Sequence, residues 1–394
     1  MDNEFDNCMG KFPASLLNAS EKERKLYFKQ HIVDHPYIRD AVKSAYSLLD
    51  SLVSERLVFV CGPSGVGKSE FVKKFKEKIV SQDGVTNLNK PGMVPVVDVE
   101  ASAPEKNSFD FDLLWMSILE QLREPLIDRK ISYVERNITG INRSISIKRK
   151  PDYIRVVANA LKYRGVKALI IDEAHHMLRI SSGKRLNWSA DILKTLVNLS
   201  GVPVILVGTY ALLAYLEDLN PQITDQIGLR SKLIHIPRYH ANIQDEQHNF
   251  GVCAKNLYLN MPFEKINRLF IETNWQYLYT YTLGRVGALK VWFMDAYSYA
   301  LEKKAECLTL EHLERTQKPG HLCETELSNI RTGEERMRTV MSNGKLNEFP
   351  YQDDDDASYE ENDEMNSMSE KTTSGNRKPF HKSPRRVRAN EGLM

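Results

Sequence analysis

Cysteine is scarce in this sequence, which has five cysteines among 394 residues. They stand at Cys8, Cys61, Cys253, Cys307 and Cys323, and no two of them form a Cys-x-x-Cys pair. An odd number of widely spaced cysteines disfavours both a disulfide framework and a cysteine-based zinc site. The same usage fits a protein of a reducing compartment.

Long apolar segments are lacking as well. No apolar run approaches the roughly 18 residues that a membrane-spanning helix needs. The N-terminal segment MDNEFDNCMGKF is acidic and polar, unlike a secretory signal peptide. We therefore expect a cytoplasmic protein with no membrane partner.

A strong overall charge is also absent, since the formal net charge is only +2. Hydrophobic residues make up 42% and charged residues 27%, which is ordinary globular composition. Any surface for nucleic acid must then come from local clustering of basic residues. The length suffices for more than one domain.

Short apolar runs alternate with helical periodicity over residues 33–238. The runs predict five strands, at 57–61, 94–99, 168–171, 202–207 and 232–236. The helical segments between them include 69–80, 113–122, 153–163 and 190–199. This alternation predicts an α/β fold with a five-stranded parallel sheet covered by helices on both faces.

The pattern changes on either side of this α/β core. Residues 1–32 suit either a short helical arm or a poorly ordered segment. Residues 239–320 show helical periodicity alone and predict an all-helical lid domain, followed by an extension over 321–346. In the segment 347–394, every charged residue from Asn347 to Glu364 is acidic and every one from Lys371 to Arg388 is basic. So few apolar residues accompany these blocks that we expect a disordered tail.

The strongest local motif is GPSGVGKS, which matches the P-loop pattern GxxxxGK[ST] between a predicted strand and a predicted helix. Glycines let backbone N–H groups turn inward around phosphates, and the lysine places a cation at the β- and γ-phosphates. The helix N-terminus adds favourable dipole charge. We predict ATP binding by Gly62, Pro63, Ser64, Gly65, Val66, Gly67, Lys68, Ser69 and Glu70.

A second part of the site is expected at the end of the strand ALIID. Asp172 would hold Mg²⁺ together with the hydroxyl of Ser69, and Glu173 would act as general base toward the attacking water. The next residues, His175 and His176, could suggest a metal site. Adjacent helical residues do not face one ion, so we interpret them as polar positions at the start of a helix.

Three further residues are candidates for the same site. Thr209 follows the fourth strand and would sense the γ-phosphate, unless it only begins a turn. Arg230 precedes the fifth strand and would reach the nucleotide of a neighbouring subunit, with Lys232 as a nearby candidate and a plain surface arginine as the alternative. Arg285 would reach the nucleotide from the lid. The predicted catalytic residues are Lys68, Glu173, Thr209 and Arg230.

A basic stretch over residues 129–150 contains a single acid, Glu135. Such a stretch suits backbone contacts to double-stranded DNA without sequence readout, and a solvated basic loop is the alternative. The predicted DNA contacts are Arg136, Arg143, Lys148, Arg149 and Lys150.

The segments LIIDEAHHML, VILVGT and GRVGALK together resemble the TnsC/TniB family of AAA+ transposition regulators, and the resemblance runs over about residues 35–317. Lys68 and Ser69 match the Walker A positions of that family, Asp172 and Glu173 match Walker B, and Thr209 matches sensor 1. The resemblance implies an AAA+ ATPase that converts ATP and water to ADP and phosphate with Mg²⁺. It also implies a bacterial, DNA-associated protein that assembles with itself as a ring or helical filament on double-stranded DNA. Its other implied partners are a target selector of the TniQ/TnsD type and the transposase.

The basic end of the tail offers Phe380 and Val387 as anchors for transposase subunits, and a solubilising tail is the alternative. An AAA+ replication initiator or helicase loader is the alternative function for the whole chain, and a signalling NTPase that does not bind DNA is a further one. The letters DEAH also occur in helicases, but no second set of strands is predicted after Pro237.

Overall fold

The computed structural model describes residues 10–49, 57–87, 92–103, 109–127, 153–178, 183–217 and 231–342. All of them lie in the first of two units, Met1–Lys345. The predicted DNA contacts, Arg230 and the tail 347–394 fall outside the described residues. No helix in the described ranges is long and apolar enough to cross a membrane.

The five predicted strands form one sheet in which every pairing is parallel. The strands are β1 (Leu57–Cys61), β2 (Val96–Glu100), β3 (Ala168–Asp172), β4 (Val204–Gly208) and β5 (Ser231–His235). Their order across the sheet is β2-β3-β4-β1-β5. Two of them begin two residues later than predicted, immediately after Pro95 and Pro203, because proline has no N–H to donate to a neighbouring strand.

Helices cover both faces of this sheet, as the alternating pattern predicts. The helices of the α/β core are α2 (Pro36–Leu49), α3 (Lys68–Asn87), α4 (Phe111–Gln121), α5 (Tyr153–Tyr163), α6 (Gly183–Ser200) and the short α7 (Ala214–Glu217). Along β1, Leu57 and Phe59 join the core beneath α4, α5 and α6, whereas Val58 and Val60 join the core beneath α2 and α3. A continuously apolar strand is therefore explained by burial on both sides.

The second half of the described chain is helical. Its helices are α8 (Gln244–Leu259), α9 (Phe270–Thr282), α10 (Val286–Glu302), α11 (Leu310–Thr316) and α12 (Gly320–Ser342). The N-terminal segment also contains a helix, α1 (Glu21–Gln30), which begins with a capping box formed by Ser20 and Glu23. Phe28 of α1 is fully buried in the core of this helical layer, with its ring 5.7 Å from that of Tyr297. Within the described residues 10–32 of this segment, Glu21–Gln30 are therefore helical.

Helix α12 joins the helical layer to the sheet. Met337 near its C-terminal end lies in the core beneath the sheet, and Glu334 forms a buried ion pair with Arg238 at 2.8 Å. Burial raises the pKa of Glu334, but hydrogen bonds from His240 and Arg238 outweigh that effect and hold the pKa at about 2. A buried pair with both partners present fixes where the lid attaches to the core.

Two helical glycines give a test of the packing of α12. A Cβ on Gly333 would lie 2.1 Å from Cδ2 of the buried Tyr210, whose hydroxyl lies 2.9 Å from His235 Nε2, whereas a Cβ on Gly251 in α8 would meet nothing within 4 Å. Alanine favours a helix over glycine by about 1 kcal/mol. We expect Gly251→Ala to stabilise the protein and Gly333→Ala to destabilise it by about 1–3 kcal/mol, because overpacking outweighs propensity. Urea unfolding of both variants measures this, and equal stabilisation would contradict the contact with Tyr210.

Candidate nucleotide site

The order of the strands brings the predicted site residues to one edge of the sheet. In a parallel sheet the carboxyl ends of all strands lie at the same edge, and ligands bind outside that edge. The P-loop follows β1, the acidic pair ends β3, and β4 lies between these two strands. Thr209, which follows β4, therefore lies between the P-loop and the acidic pair, as the sequence predicts.

The P-loop owes its shape to its glycines. Gly65 and Gly67 have φ angles of 83° and 104°, in the region that side chains with a Cβ rarely adopt. A Cβ on Gly62 would lie 2.2 Å from the carbonyl oxygen of Ile236, at the end of β5. These three positions let the loop turn tightly enough for its N–H groups to converge, which makes it an anion-binding cradle.

Lys68 is the first residue of α3 and is buried, with 7% of its surface exposed. Its Nζ donates to the carbonyl oxygens of Gly62 and Pro63, each at 3.0 Å. Burial lowers the pKa of this ammonium group, and the charges of Glu173 and Asp172 act in the opposite direction. A phosphate group would supply the negative charge and the strong hydrogen-bond acceptors that this desolvated cation, held by two carbonyl oxygens, is suited to bind.

The acidic pair lies at the end of β3. Asp172 Oδ1 accepts a hydrogen bond from the N–H of Glu173 at 2.8 Å, and burial raises the pKa of Asp172. Glu173 has a φ of 50°, an uncommon conformation for a residue with a side chain. Strain held in place at a strand end is a frequent feature of functional sites.

The residues of this site can be compared with the ligands that Mg²⁺ requires. Among the described residues, no group of three or more His, Cys, Asp and Glu side chains could hold a metal ion. Magnesium bound with a nucleotide needs only one or two protein ligands beside phosphate oxygens and water. The carboxylate of Asp172 and the hydroxyl of Ser69, which is exposed at the start of α3, fit that requirement.

His175 and His176 have separate partners. They lie in a 3₁₀ helix, Ala174–Leu178, directly after the acidic pair. Nδ1 of His176 lies 2.9 Å from the carbonyl oxygen of Ala101, and Nδ1 of His175 lies 3.1 Å from Oε2 of Glu173. The sequence pattern predicts both histidines as ordinary polar positions, and no local signal indicates the contact between His175 and the predicted general base.

The hydroxyl of Thr209 has a local partner too. Its oxygen accepts a hydrogen bond from the N–H of Ala211 at 3.4 Å and so caps the 3₁₀ helix Tyr210–Leu213. Thr209 thus begins a turn while it also lies beside the site. Its role as a sensor stays a prediction.

The helical lid contacts the P-loop directly. The N–H of Ala288, in the first turn of α10, donates to the carbonyl oxygen of Gly65 at 3.1 Å. A Cβ on Gly287 would lie 2.6 Å from that same oxygen, so the approach depends on glycine. The first turn of α10 therefore forms part of the wall around the loop.

The structure also brings Arg285 to the P-loop, where it is 5% exposed. One terminal nitrogen donates to the carbonyl oxygen of Ser64 at 3.2 Å, Nε donates to the carbonyl oxygen of Thr282 at 2.9 Å, and the other terminal nitrogen pairs with Glu326 of α12. Sequence reasoning missed Glu326 because it lies far along the chain with no local motif. Arg285 is thus held beside the loop by the lid and α12.

Two cavities flank the contact between lid and loop. The first, of about 160 Å³, is lined by residues of the loop, the lid and the segment before α2, among them Val33, His35, Val66, Leu257 and Val286. The second, of about 240 Å³, lies on the side of Ser64 and Arg285 and is also lined by Trp292 and Lys318. Both open next to the P-loop.

Four features together define the AAA+ fold of P-loop NTPases. They are the parallel sheet with this strand order, the P-loop after β1, the acidic pair after β3 and a helical lid that contacts the loop. Residues 52–216 match the family profile described as AAA domain. No curated protein matches the chain.

Several solved structures are similar to the chain in shape while sharing little sequence. The ORC2 protein of Aeropyrum pernix, in its ADPNP–ADP complexes, is 16% identical, with 74% of this chain and 71% of that chain covered and a TM-score of 0.48. Cdc6p of Pyrobaculum aerophilum is 13% identical, with 74% and 70% covered and a TM-score of 0.47. Domain III of the replication initiation protein DnaA of Thermotoga maritima is 10% identical, with 73% and 94% covered and a TM-score of 0.42.

Proposed function

We propose that the chain is an ATPase that binds ATP with Mg²⁺ in the P-loop. The observation that carries this proposal is the buried Lys68, which is held inside the loop with only carbonyl oxygens as described hydrogen-bond partners and with Asp172 and Glu173 nearby. Lys68 binds the β- and γ-phosphates, and Asp172 and Ser69 are the ligands for Mg²⁺. The metal, when bound, neutralises charge on the phosphate oxygens.

The remaining residues act on the γ-phosphate and its attacking water. Glu173 orients the water and accepts its proton, and Thr209 senses the γ-phosphate from between the two halves of the site. Arg230 of one subunit stabilises charge at the nucleotide of the next, and Arg285 acts from the lid. The nucleotide base occupies the cavity of about 160 Å³, where Val33, Leu257 and Val286 offer apolar surface from three different elements.

Two substitutions separate binding from hydrolysis. Lys68→Ala removes the cation at the phosphates and should abolish ATP binding, whereas Glu173→Gln keeps the shape of the site and should retain binding while lowering turnover at least 100-fold, the range of a general base. Isothermal titration with ATP and release of phosphate measure the two steps. Rapid turnover by Glu173→Gln would overturn its role, and Lys194→Ala in α6, where Lys194 pairs with Asp191 of the same helix, serves as the matched lysine control.

We propose further that the nucleotide state controls assembly of the chain on double-stranded DNA, where it recruits and activates a transposase at a target chosen by a selector of the TniQ/TnsD type. Hydrolysis then disassembles the complex. The resemblance of LIIDEAHHML, VILVGT and GRVGALK to the TnsC/TniB family supports this role. The basic stretch 129–150 supports the DNA contacts, which we assign to Arg136, Arg143, Lys148, Arg149 and Lys150. The hydrogen bond between Ala288 and Gly65 supports a link from nucleotide to lid.

Electron microscopy of the protein on random-sequence duplex DNA tests the assembly. With ATP or a slowly hydrolysed analogue we expect rings or filaments on the duplex, and with ADP we expect few, because the γ-phosphate is the signal. Glu173→Gln should give longer-lived assemblies. Loading of a helicase onto the DNA without any effect on transposition would favour a replication initiator or loader instead, and no DNA association in any nucleotide state would favour a signalling NTPase.

The tail 347–394 is proposed to bind the transposase through Phe380 and Val387. A chain that ends at Lys345 should keep its ATP-dependent assembly on DNA and lose capture of the transposase in a pull-down. Replacement of Phe380 and Val387 by alanine in the full chain should have the same effect in weaker form. Undiminished capture by the shortened chain would contradict this assignment.

A further inference from the structure

His35 is a buried polar residue that the proposed hydrolysis does not use. It stands directly before α2, is 4% exposed, and lines the cavity proposed for the nucleotide base. A buried polar side chain in the wall of a mostly apolar cavity needs partners, and those partners show what it does.

The two ring nitrogens of His35 face different parts of the protein. Nδ1 lies 3.1 Å from the hydroxyl oxygen of Tyr239, and Nε2 faces the P-loop, 3.6 Å from the position that a Cβ on Gly67 would take. Burial lowers the pKa of His35 to about 4, although the charge of Asp34 and a hydrogen bond with the backbone of Val66 oppose the shift. The ring is therefore neutral near pH 7, with one nitrogen as donor and the other as acceptor.

Tyr239 is in turn fixed to the lid. Its N–H donates to the carbonyl oxygen of Gly284 at 2.9 Å, and its own carbonyl oxygen accepts from the hydroxyl of Tyr279 at 3.1 Å. Its ring stacks on Tyr37 of α2 with centroids 4.7 Å apart. Gly284 is in the turn that leads into α10, whose Ala288 bonds Gly65 of the P-loop.

These contacts form a closed circuit that includes His35 of the cavity wall. The circuit runs from the P-loop to the lid through Gly65 and Ala288, from the lid to Tyr239 through Gly284, and from Tyr239 back to the P-loop through His35. His35 lines the cavity proposed for the base, whereas Gly65 and Ala288 line the second cavity, and Gly287 lines both.

We propose that His35 is a positioning residue for the nucleotide base: it holds the P-loop to Tyr239 and so couples occupation of the cavity by the base to the seating of the lid. This inference rests on the proposed ATP site. Lys68 and the N–H groups of the loop bind phosphate without His35, so the residue should matter for ligands with a base and not for ligands with phosphate alone.

The test compares ATP, ADP and inorganic tripolyphosphate on the full chain by isothermal titration. His35→Ala removes the ring whose Nδ1 lies 3.1 Å from the hydroxyl of Tyr239 and takes away one wall of the cavity, so ATP and ADP should each bind about ten-fold more weakly. The affinity for tripolyphosphate should stay within about two-fold of wild type. His35→Asn keeps an acceptor near the position of Nδ1 and should restore most of the affinity for ATP.

Tyr239→Phe tests the partner of His35 and retains the stacked ring. It should weaken ATP binding several-fold, and the double variant His35→Ala with Tyr239→Phe should lose little more than His35→Ala alone, because both remove the same link. His31→Ala is the matched control. Nε2 of His31 lies 2.8 Å from Oδ1 of Asn256 of α8, so this residue also joins the N-terminal segment to the lid, but it does not line the cavity.

The outcomes separate the inference from the function on which it rests. If wild type binds neither ATP nor tripolyphosphate, the ATP site itself is wrong. If wild type binds ATP and the His35 and Tyr239 variants bind ATP with the same affinity as wild type, the positioning role is wrong. It is also wrong if these variants lose affinity for ATP and for tripolyphosphate by the same factor. Should His35→Ala fail to fold, Tyr239→Phe and His35→Asn decide: unchanged ATP affinity in Tyr239→Phe, or an equal loss of affinity for ATP and tripolyphosphate in either variant, would overturn the positioning role.

Discussion

The hydrogen bond from the N–H of Ala288 to the carbonyl oxygen of Gly65 is the contact on which the arrangement of the site depends. It brings the first turn of α10 against the turn of the P-loop, and Gly287 permits the approach because it has no Cβ. Arg285 and both cavities lie next to this contact. The lid is consequently a wall of the candidate site and not only a neighbouring domain.

Two buried charged residues, Glu334 and Lys68, differ in how the protein compensates their charges. Glu334 lies against Arg238 and His240, so its negative charge is fully compensated by the protein. Lys68 has carbonyl oxygens as its hydrogen-bond partners, and the charges that oppose its desolvation belong to the acidic pair across the site. The first arrangement stabilises a fixed attachment, and the second leaves a cation whose full compensation requires a bound anion.

Local patterns predicted the sheet, the P-loop and the acidic pair, because each is encoded by a few neighbouring residues. Apolar runs predicted all five strands; the predicted starts before Pro95 and Pro203 are two residues too early, and the predicted start of β5 is one residue too late. The pairs that join the lid to the core could not be read in this way, since Glu334 and Arg238 are 96 residues apart and His35 and Tyr239 are 204 apart. Contacts between side chains could not be predicted from the sequence either, and the contact between His175 and Glu173 is an example. Arg230 and the five basic residues assigned to DNA remain predictions.

Helix α12 is 23 residues long, which corresponds to about 34 Å of rigid rod. Its N-terminal half holds Arg285 through Glu326, and its C-terminal half inserts Met337 beneath the sheet. Because both ends of α12 are attached, a gradual tilt of the lid would separate the buried ion pair of Glu334 and Arg238. Closely packed interfaces of this kind respond by jumping between discrete arrangements, because intermediate positions leave the charges unpaired. We therefore expect the lid to adopt a small number of well-defined positions against the sheet and not a continuous range of tilts.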